Sequence, residues 1–548
     1  MAGASGRTAE PGKTGPPRTA GPGPIESAPR SRVPRTTGGN TPTPGPGTGT
    51  SAPRPAPARR AFALVGPAFA AVRPARAAAG RNRRGALRNA PRLVRTLTAL
   101  CLAALLAAGA ATATVLTGAR ADLDTIGHNA APQAARAADL YFALNDMDAQ
   151  AANLLLLGAD PDYATLRKQT QDAYEQRRAQ AGTDLQRAAE AASGDPAGRV
   201  AVQNVLSELG RYEALVARAQ LLEEQAHAPA GKPSAEALDA YRQATDLLRQ
   251  QLLPAADQVT AANSATVEHS YHAQRADLAA GRWWILAAGV LALAALAALQ
   301  RTLTVRFHRL INPPLAAVTL LTCIALTAGL HLAGRADDHL TVAKSNAYDS
   351  VIALSRARAV AYDMNADESR YLTDPARAAA YEQTFFDKTQ AVARLDGATL
   401  GDYDARLRSA ADDHRADHTT VPFGGFLGAE LRNITFPGEQ EAAERVLKAF
   451  QQYQLDDRKT RSLRGQGRLK DAVTFNTGTA PGQSNADFAL LGAALDDVLA
   501  INRNALGRAV AEADDDLDAS TAITGALALA AALALTALGV RPRLREYR

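Results

Sequence analysis

The sequence has very little cysteine, and this excludes disulfide bonds as a source of stability for its polar segments. Only Cys101 and Cys323 occur among 548 residues. Both fall inside long apolar runs, so no disulfide can join the polar segments between those runs, and no cysteine-based metal site is expected. The polar segments must therefore be held together by packing, for which roughly 160–185 residues each are sufficient.

Catalytic motifs are also absent. The sequence contains no Gly-Lys-Ser/Thr phosphate loop, no His-Glu-x-x-His zinc motif and no Gly-x-Ser-x-Gly nucleophile elbow. His414 and His418 are four residues apart and would share one helix face, but a zinc site needs further ligands, and the nearby acids are Asp412 and Asp413. We interpret these histidines as surface residues. We therefore predict no enzyme, no cofactor, and no catalytic, cofactor-binding or metal-binding residue.

Two further polar groupings have the same interpretation. His269 and His272 are three residues apart and are also expected on a helix surface. The acidic run at residues 514–518 lacks the glycine and the terminal glutamate of a calcium-binding loop. We interpret it as a solvated face beside the last apolar run.

Charge is missing from four apolar stretches, at residues 96–119, 283–300, 310–334 and 519–540. A bilayer core requires roughly 20 apolar helical residues, whereas the core helix of a soluble protein still shows a polar face. These stretches contain no acidic or basic residue except His331, which argues against an ion or proton path. We predict four transmembrane helices, with the lipid bilayer as a partner.

Basic residues predict the orientation of these spans. They cluster before the first span, in the loop at residues 301–309 and in the tail at residues 541–548. Residues 120–281 carry 14 basic and 22 acidic side chains and residues 335–518 carry 22 and 30, so each segment has a net charge of −8. We therefore expect cytoplasmic termini and two extracytoplasmic segments. Because the basic residues follow the membrane, no nucleic acid partner is expected.

The first span has an alternative interpretation as a cleaved signal peptide that ends at Ala119-Arg120-Ala121. Its apolar run is longer than the 7–15 residues of a signal core, which favours an uncleaved anchor. Cleavage would leave three spans and an external N-terminus.

Both polar segments are rich in helix-forming residues and carry apolar seams of the kind found in antiparallel bundles. The seams are Leu140, Leu144, Met147, Ala151 and Leu154; Val205, Leu209, Tyr212, Val216 and Ala219; Leu248, Leu252, Ala255, Val259 and Ala262; and Leu491, Leu495 and Val498. Breaks at 158–161, 193–196 and 229–233 predict four helices in the first segment, and Pro132 and Pro254 should kink two of them. In the second segment, Asp374-Pro375 should end a helix, and the stretches at 422–437 and 475–484 should be loops.

The sequence therefore predicts an all-α membrane protein with four transmembrane helices, two extracytoplasmic antiparallel helical bundles and a disordered N-terminal tail. The tail is rich in Pro, Gly, Thr, Ser, Ala and Arg and cannot offset the entropy of ordering. The predicted segments are the basic cytoplasmic tail 1–95, span 96–119, bundle 120–282, span 283–300, cytoplasmic loop 301–309, span 310–334, bundle 335–518, span 519–540 and cytoplasmic tail 541–548. Asp146-Met147 and Asp363-Met364 lie at similar positions after a span, which indicates an internal duplication.

A bundle that continues two membrane helices resembles the four-helix-bundle sensor modules of bacterial chemoreceptors and histidine kinases. The phrase Asp363-Met364-Asn365-Ala366-Asp367-Glu368-Ser369-Arg370-Tyr371-Leu372, before Asp374-Pro375, is similar to actinobacterial four-span membrane proteins. Those proteins accompany a glutamine-binding lipoprotein and a protein kinase G type Ser/Thr kinase. The resemblance implies a sensor that reads an extracytoplasmic solute-binding lipoprotein or ligand and informs a cytosolic kinase.

Other functions stay open on the sequence alone. The alternative to a sensor is a membrane scaffold or cell-envelope assembly factor, and a transporter or enzyme is the third hypothesis. The small residues of the spans suit close helix contacts, so a homo-oligomer is among the expected assemblies. The ligand-binding residues are unknown at this stage.

Overall fold

The computed structural model describes residues 90–191, 196–307 and 312–545. Within these ranges the regular structure is helical, apart from one isolated β-bridge between Arg394 and Gly424. The first half contains α1 (Ala90–Asp124), α2 (Ala131–Leu157), α3 (Ala164–Ala191), α4 (Pro196–Ala226), α5 (Ala235–Leu247) and α6 (Leu253–Phe307). The second half contains α7 (Pro313–Thr341), α8 (Asp349–Thr373), α9 (Ala378–Val392), α10 (Tyr403–Ala416), α11 (Gly425–Leu431), α12 (Glu439–Gly465), α13 (Leu469–Thr477), α14 (Ser484–Asp516) and α15 (Ala519–Arg545). The all-α prediction is confirmed.

The predicted tail lies outside the described residues as far as residue 89. Helix α1 begins at Ala90, so the last six residues of the predicted tail are helical instead of disordered. Pro91 lies at the start of this helix, where its missing N–H is tolerated. The predicted break at 193–196 falls almost wholly between the described ranges, after α3 and before α4.

Four helical stretches are long and apolar enough to cross a membrane. They are Arg92–Leu157, Ala235–Val305, Pro313–Thr373 and Ser484–Pro542. Each extends far beyond its apolar run and into a polar segment, so the spans continue into the bundles, with a short break between α14 and α15 in the fourth. Trp283 and Trp284 are exposed where the second apolar run begins, which is the usual position of aromatic residues at a bilayer surface.

Three π-helical turns join these long helices, at Thr125–Ala130, Leu248–Leu252 and Val342–Tyr348. Pro132 and Pro254, predicted to cause kinks, each follow such a turn, because proline cannot donate the i→i−4 hydrogen bond. A π turn adds one residue to the helix and so moves every later side chain to a new face.

The third predicted seam is wrong beyond the π turn for this reason. Leu248 and Leu252 are buried as expected, but Ala255 and Val259 are only half-buried and Ala262 is exposed. The buried positions are instead Ala256 and Thr260, each shifted by one residue. The seams through Leu144, through Leu209 and through Leu495 are buried throughout, and their prediction is confirmed.

The positions of the π turns support an internal duplication. The turn that begins at Val342 lies 217 positions after the turn that begins at Thr125. The same spacing separates Met364 from Met147. In each half the turn leads from a span into a helix that ends just before an Asp-Pro pair.

The second bundle departs from its predicted organisation at three places, two of them predicted loops and one a helix. The stretch at 422–437 contains helix α11, in which Leu427 and Leu431 are buried. The predicted turn at 475–484 begins only after α13 ends at Thr477. The helix leading into the fourth span is interrupted between α14 and α15, where the Asp518 carboxylate accepts a hydrogen bond from the Thr521 N–H at 2.9 Å and caps the new helix.

All four span-linked helices meet in one stem at the base of the bundles. Leu123 of α1, Val267 of α6, Leu340 of α7 and Ala513 of α14 belong to a single buried apolar cluster there. Within the apolar runs, small residues bring the helices close together, since a Cβ at Gly289 would lie 2.6 Å from Leu326 Cδ1. Each helix of the stem therefore contacts this shared cluster, and a displacement of one helix acts directly on the packing of the other three.

Candidate functional site

The two bundles share a buried interface formed by α2 of the first and α8 of the second. Phe142 of α2 lies in the apolar core of the second bundle, and Ala366 of α8 lies in the core of the first. The Phe142 ring packs edge-on to Tyr362, with centroids 5.0 Å apart, and the Arg358 guanidinium lies 3.6 Å from its centroid. Both helices are buried on almost every face over their last four turns.

A cluster of charged side chains occupies the centre of this interface. Arg370 of α8 has a side chain that is 1% exposed. Its Nη1 lies 2.9 Å from Asp363 Oδ1 and 2.7 Å from Asp367 Oδ1, and its Nη2 donates to Asp148 of α2. Its Nε donates to the Tyr241 hydroxyl of α5 at 3.1 Å. One guanidinium thus joins α8 to two helices of the other bundle.

Two more cations balance the three carboxylates of this cluster. Lys388 of α9 pairs with both Asp363 and Asp367. Arg249, in the π turn between α5 and α6, lies 3.0 Å from Asp367 Oδ1 and 3.7 Å from Asp363 Oδ1. We call Asp148, Asp363, Asp367, Arg249, Arg370 and Lys388 the charge cluster. Its six formal charges sum to zero.

Burial and pairing push the pKa values of the two α8 carboxyls apart. Burial raises the pKa of Asp363 above its usual range, despite the opposing effect of Lys388. Burial alone would also raise the pKa of Asp367, but Lys388, Arg249 and Arg370 together hold it below its usual range. Asp367 is therefore the more firmly ionised of the two carboxyls.

Further contacts between the halves surround the cluster. Arg242 of α5 forms a bidentate pair with Asp374 at 2.8 and 2.6 Å. The Ser369 hydroxyl donates to Asn153 Oδ1 of α2 at 2.6 Å. Such buried pairs contribute little net stability but fix one arrangement, because any other arrangement leaves a charge unpaired in a low-dielectric interior. These contacts therefore fix the position of one bundle relative to the other.

A second buried polar group lies beside the π turn at Val342–Tyr348. The Asn433 side chain donates to the carbonyls of Ser345 and Asn346 at 3.2 and 3.1 Å, so it satisfies acceptors in the turn. Nearby, Asn502 of α14 donates to Glu439 Oε1 at 2.7 Å and to Glu430 Oε1 at 3.4 Å. Burial, with a smaller contribution from Glu439, raises the pKa of Glu430 to about 8.

The stretches at 422–437 and 475–484, expected to be loops, are candidates for an outer contact, since binding often lies on loops held by a rigid scaffold. The 422–437 stretch lines an open groove of about 660 Å³, and the groove also has three arginines in its wall, Arg394, Arg406 and Arg432. Of the inner segments, the loop is described only up to Phe307 and from Asn312, and the tail up to Arg545.

The sequence located part of this site without assigning it a role. The phrase from Asp363 to Leu372 contributes three members of the charge cluster. Asp148, Arg249 and Lys388 were missed, since they come from three other elements. One indication was available: Asp146 and Asp148 have no basic residue within four positions on either side of them in α2.

The prediction of a surface position is wrong for His414, which is fully buried, and other predicted surface residues have partners of their own. His272 is exposed and lies 2.7 Å from Glu268, four residues earlier. In the acidic run, Asp516 is 2.8 Å from Arg335 and 3.0 Å from His339 of α7, so it joins two helices of the stem. This part of the run is paired instead of freely solvated.

The fold defines a multi-pass, all-α membrane protein whose polar bundles continue its spanning helices. Residues 122–272, which cover the first bundle, match the family model described as an actinobacterial sensor domain. Comparisons with curated proteins and with solved structures give no match. The family match supports a sensor role for the chain.

Proposed function

We propose that the chain is a membrane sensor that reads an extracytoplasmic solute-binding protein or ligand and signals to a separate cytosolic partner, such as a Ser/Thr kinase. The observation that carries this proposal is the contact of Arg249 with Asp363 and Asp367. Arg249 lies in the π turn that leads through α6 into the second span, whereas both carboxylates belong to the other bundle. A change at the interface between the bundles therefore acts directly on a span-linked helix.

The outer contact is proposed at the groove lined by the 422–437 stretch. Its wall combines three arginines, two aspartates (Asp396 and Asp413) and the apolar surface of Phe423. The same stretch carries Asn433, whose amide holds the π turn next to the third span. A partner bound in the groove would thus favour one conformation of this turn, and differential affinity is what shifts such an equilibrium.

The transmission step can be measured with distances at the inner ends of the spans. Spin labels would be placed at Val305→Cys and Arg541→Cys in a chain that carries Cys101→Ala and Cys323→Ala, reconstituted in nanodiscs. Arg249→Gln leaves the charge cluster with an unpaired negative charge. We expect it to shift the label distance by about 1–2 Å, the usual size of helix displacements in signalling.

Two controls make this measurement specific. Arg356→Gln also removes an arginine that pairs across the two halves, since Arg356 lies 3.5 Å from Asp257. This pair lies on the surface, so the substitution should leave the distance between the spin labels unchanged. Four glycines inserted after Ala280 interrupt α6 and should abolish the shift caused by Arg249→Gln. If the Arg249→Gln chain inserts normally and the distance between the labels is unchanged, transmission from the charge cluster to the spans is refuted, and the membrane-scaffold alternative is favoured.

The proposed orientation has its own test. Reporter fusions after residue 200 or residue 400 should behave as external, and fusions at residue 305 or at the C-terminus should behave as internal, because basic residues are retained on the cytoplasmic side. An external C-terminus or an internal residue 200 would overturn the four-span topology. A mature chain that begins at Asp122 would show that the first span is a cleaved signal peptide.

A further inference from the structure

The end of α10 and the first turns of α12 bring together two histidines and a glutamate that lie far apart in the sequence. One nitrogen of His414, one nitrogen of His418 and one carboxylate oxygen of Glu444 lie within 4.8 Å of one another. Helix α10 ends at Ala416, so His418 lies in the following turn and not on the helix face predicted from the sequence. The turn nevertheless places the two rings 5.5 Å apart.

The hydrogen bond of His414 leaves its other ring nitrogen free to bind a metal. His414 is fully buried, and its Nδ1 lies 2.8 Å from the Thr420 carbonyl oxygen. A carbonyl only accepts hydrogen bonds, so Nδ1 carries the proton and Nε2 keeps its lone pair. Thr420 is itself held by Asp417, which accepts from its hydroxyl at 2.7 Å. Histidines that bind metals in proteins are oriented by this kind of bond.

The Gln440 amide occupies the position where the three ligand atoms converge. Its Nε2 lies 2.6 Å from Glu444 Oε1, 3.3 Å from His414 Nε2 and 3.4 Å from His418 Nδ1. The two hydrogens of this NH₂ group face Glu444 Oε1 and His414 Nε2, whereas His418 Nδ1 lies 3.0 Å from Glu444 Oε1 and donates its own hydrogen to that carboxylate. A cation at this point would replace these hydrogen bonds and be bound by the lone pairs of all three groups, with His418 in the tautomer that carries its hydrogen on Nε2. Rotation of the Gln440 side chain would leave a fourth position for its own oxygen or for water.

The types of ligand select the class of metal. Two imidazoles and one carboxylate are a common zinc set with an open fourth position, and Mg²⁺ and Ca²⁺ prefer oxygen ligands. His418 Nδ1 and Glu444 Oε1 are 3.0 Å apart, a hydrogen-bond distance, so a tetrahedral ion with bonds of about 2.0–2.2 Å requires these two atoms to move apart to roughly 3.3–3.6 Å. His418 is more than half exposed, which gives the ion a path from solvent.

We propose that His414, His418 and Glu444 form a binding site for a divalent transition metal of the Zn²⁺ class. The bound ion would tie the turn after α10 to α12. Helix α12 begins at Glu439, which shares Asn502 of α14 with Glu430. The site thus lies one helical turn from the polar group beside the span-linked helices. It does not depend on the proposed signalling role, and each can fail without the other.

The test is zinc binding by the full chain in nanodiscs, purified without a histidine tag. We expect one equivalent of Zn²⁺ to bind in calorimetry and to raise the thermal midpoint, because an ion that binds only the folded state stabilises it. His418→Ala and Glu444→Gln change residues that are not fully buried, so the chain should still fold. Each should weaken zinc binding at least about tenfold and remove most of the thermal shift.

His272→Ala is the matched control, because His272 is also an exposed histidine beside a glutamate four residues away. It should bind zinc as the unsubstituted chain does, and Mg²⁺ should not compete. The proposal is overturned if the unsubstituted chain shows no saturable zinc binding. It is also overturned if His418→Ala and His272→Ala bind zinc equally well.

Discussion

Replacing Arg370 with alanine should lower the free energy of unfolding by about 3–5 kcal/mol, the cost typical of breaking a buried ion pair from one side. Within the charge cluster, Arg370 is the cation that pairs with Asp148 of the first bundle, and it also binds Asp363 and Asp367. Its removal leaves three carboxylates against two cations in an interface that excludes water. Thermal or chemical unfolding of the full chain in nanodiscs measures the loss.

Arg377→Ala is the matched control for this prediction. Arg377 also pairs across the halves, with Asp246 at 3.4 Å, but both side chains are more than 40% exposed. Solvent screens such pairs, so the expected loss is about 0–1 kcal/mol. Arg370→Lys keeps the charge but loses the fork that reaches several carboxylates, and should be intermediate. Equal losses for Arg370→Ala and Arg377→Ala would contradict the role assigned to the cluster.

The second large effect is a loss of stability as the pH rises, caused by Glu430. Its pKa of about 8 lies above the ordinary value of 4.5, because the carboxyl is buried and faces Glu439. Between these two pH values the folded chain holds a proton that the unfolded chain has released. The protonated carboxyl therefore contributes its full stabilisation below about pH 4.5, and this stabilisation is lost as the pH rises to about 8. The loss in the free energy of unfolding is about 3–5 kcal/mol, because each pH unit between the two pKa values corresponds to about 1.36 kcal/mol.

Glu430→Gln tests this, because the amide resembles the protonated carboxyl at every pH. The variant should be more stable than the unsubstituted chain at pH 8.5 and similar to it at pH 4.5, in unfolding curves recorded across this range. Asp456, whose pKa burial raises to about 7, shifts stability in the same direction, so the difference between the two proteins is the decisive quantity. Glu441→Gln, an exposed change on α12, should have no effect. Parallel curves for Glu430→Gln and the unsubstituted chain would refute the assignment.

Local patterns determined the helical class, the four apolar runs and two complete seams of the first bundle. These features depend on residues close in the chain: runs without charge, and apolar positions that recur every three or four residues. Leu144, Met147 and Leu209 are buried because such a seam stays on one face of a regular helix. The seam from Leu248 failed beyond Leu252 because a π turn changed the phase, and its neighbour Pro254 indicated only that a distortion would occur.

The tertiary structure alone decided which distant charges meet. Asp148, Arg249, Arg370 and Lys388 come from four elements, and no spacing in the sequence relates them. Likewise, Glu444 joins His414 and His418 only because the turn after α10 packs against α12. Side-chain periodicity describes one helix at a time, whereas the pairing of buried charges depends on how whole helices are placed against one another. The sequence by itself therefore determined the helices and their membrane character, and the packing of the two bundles determined the candidate sites.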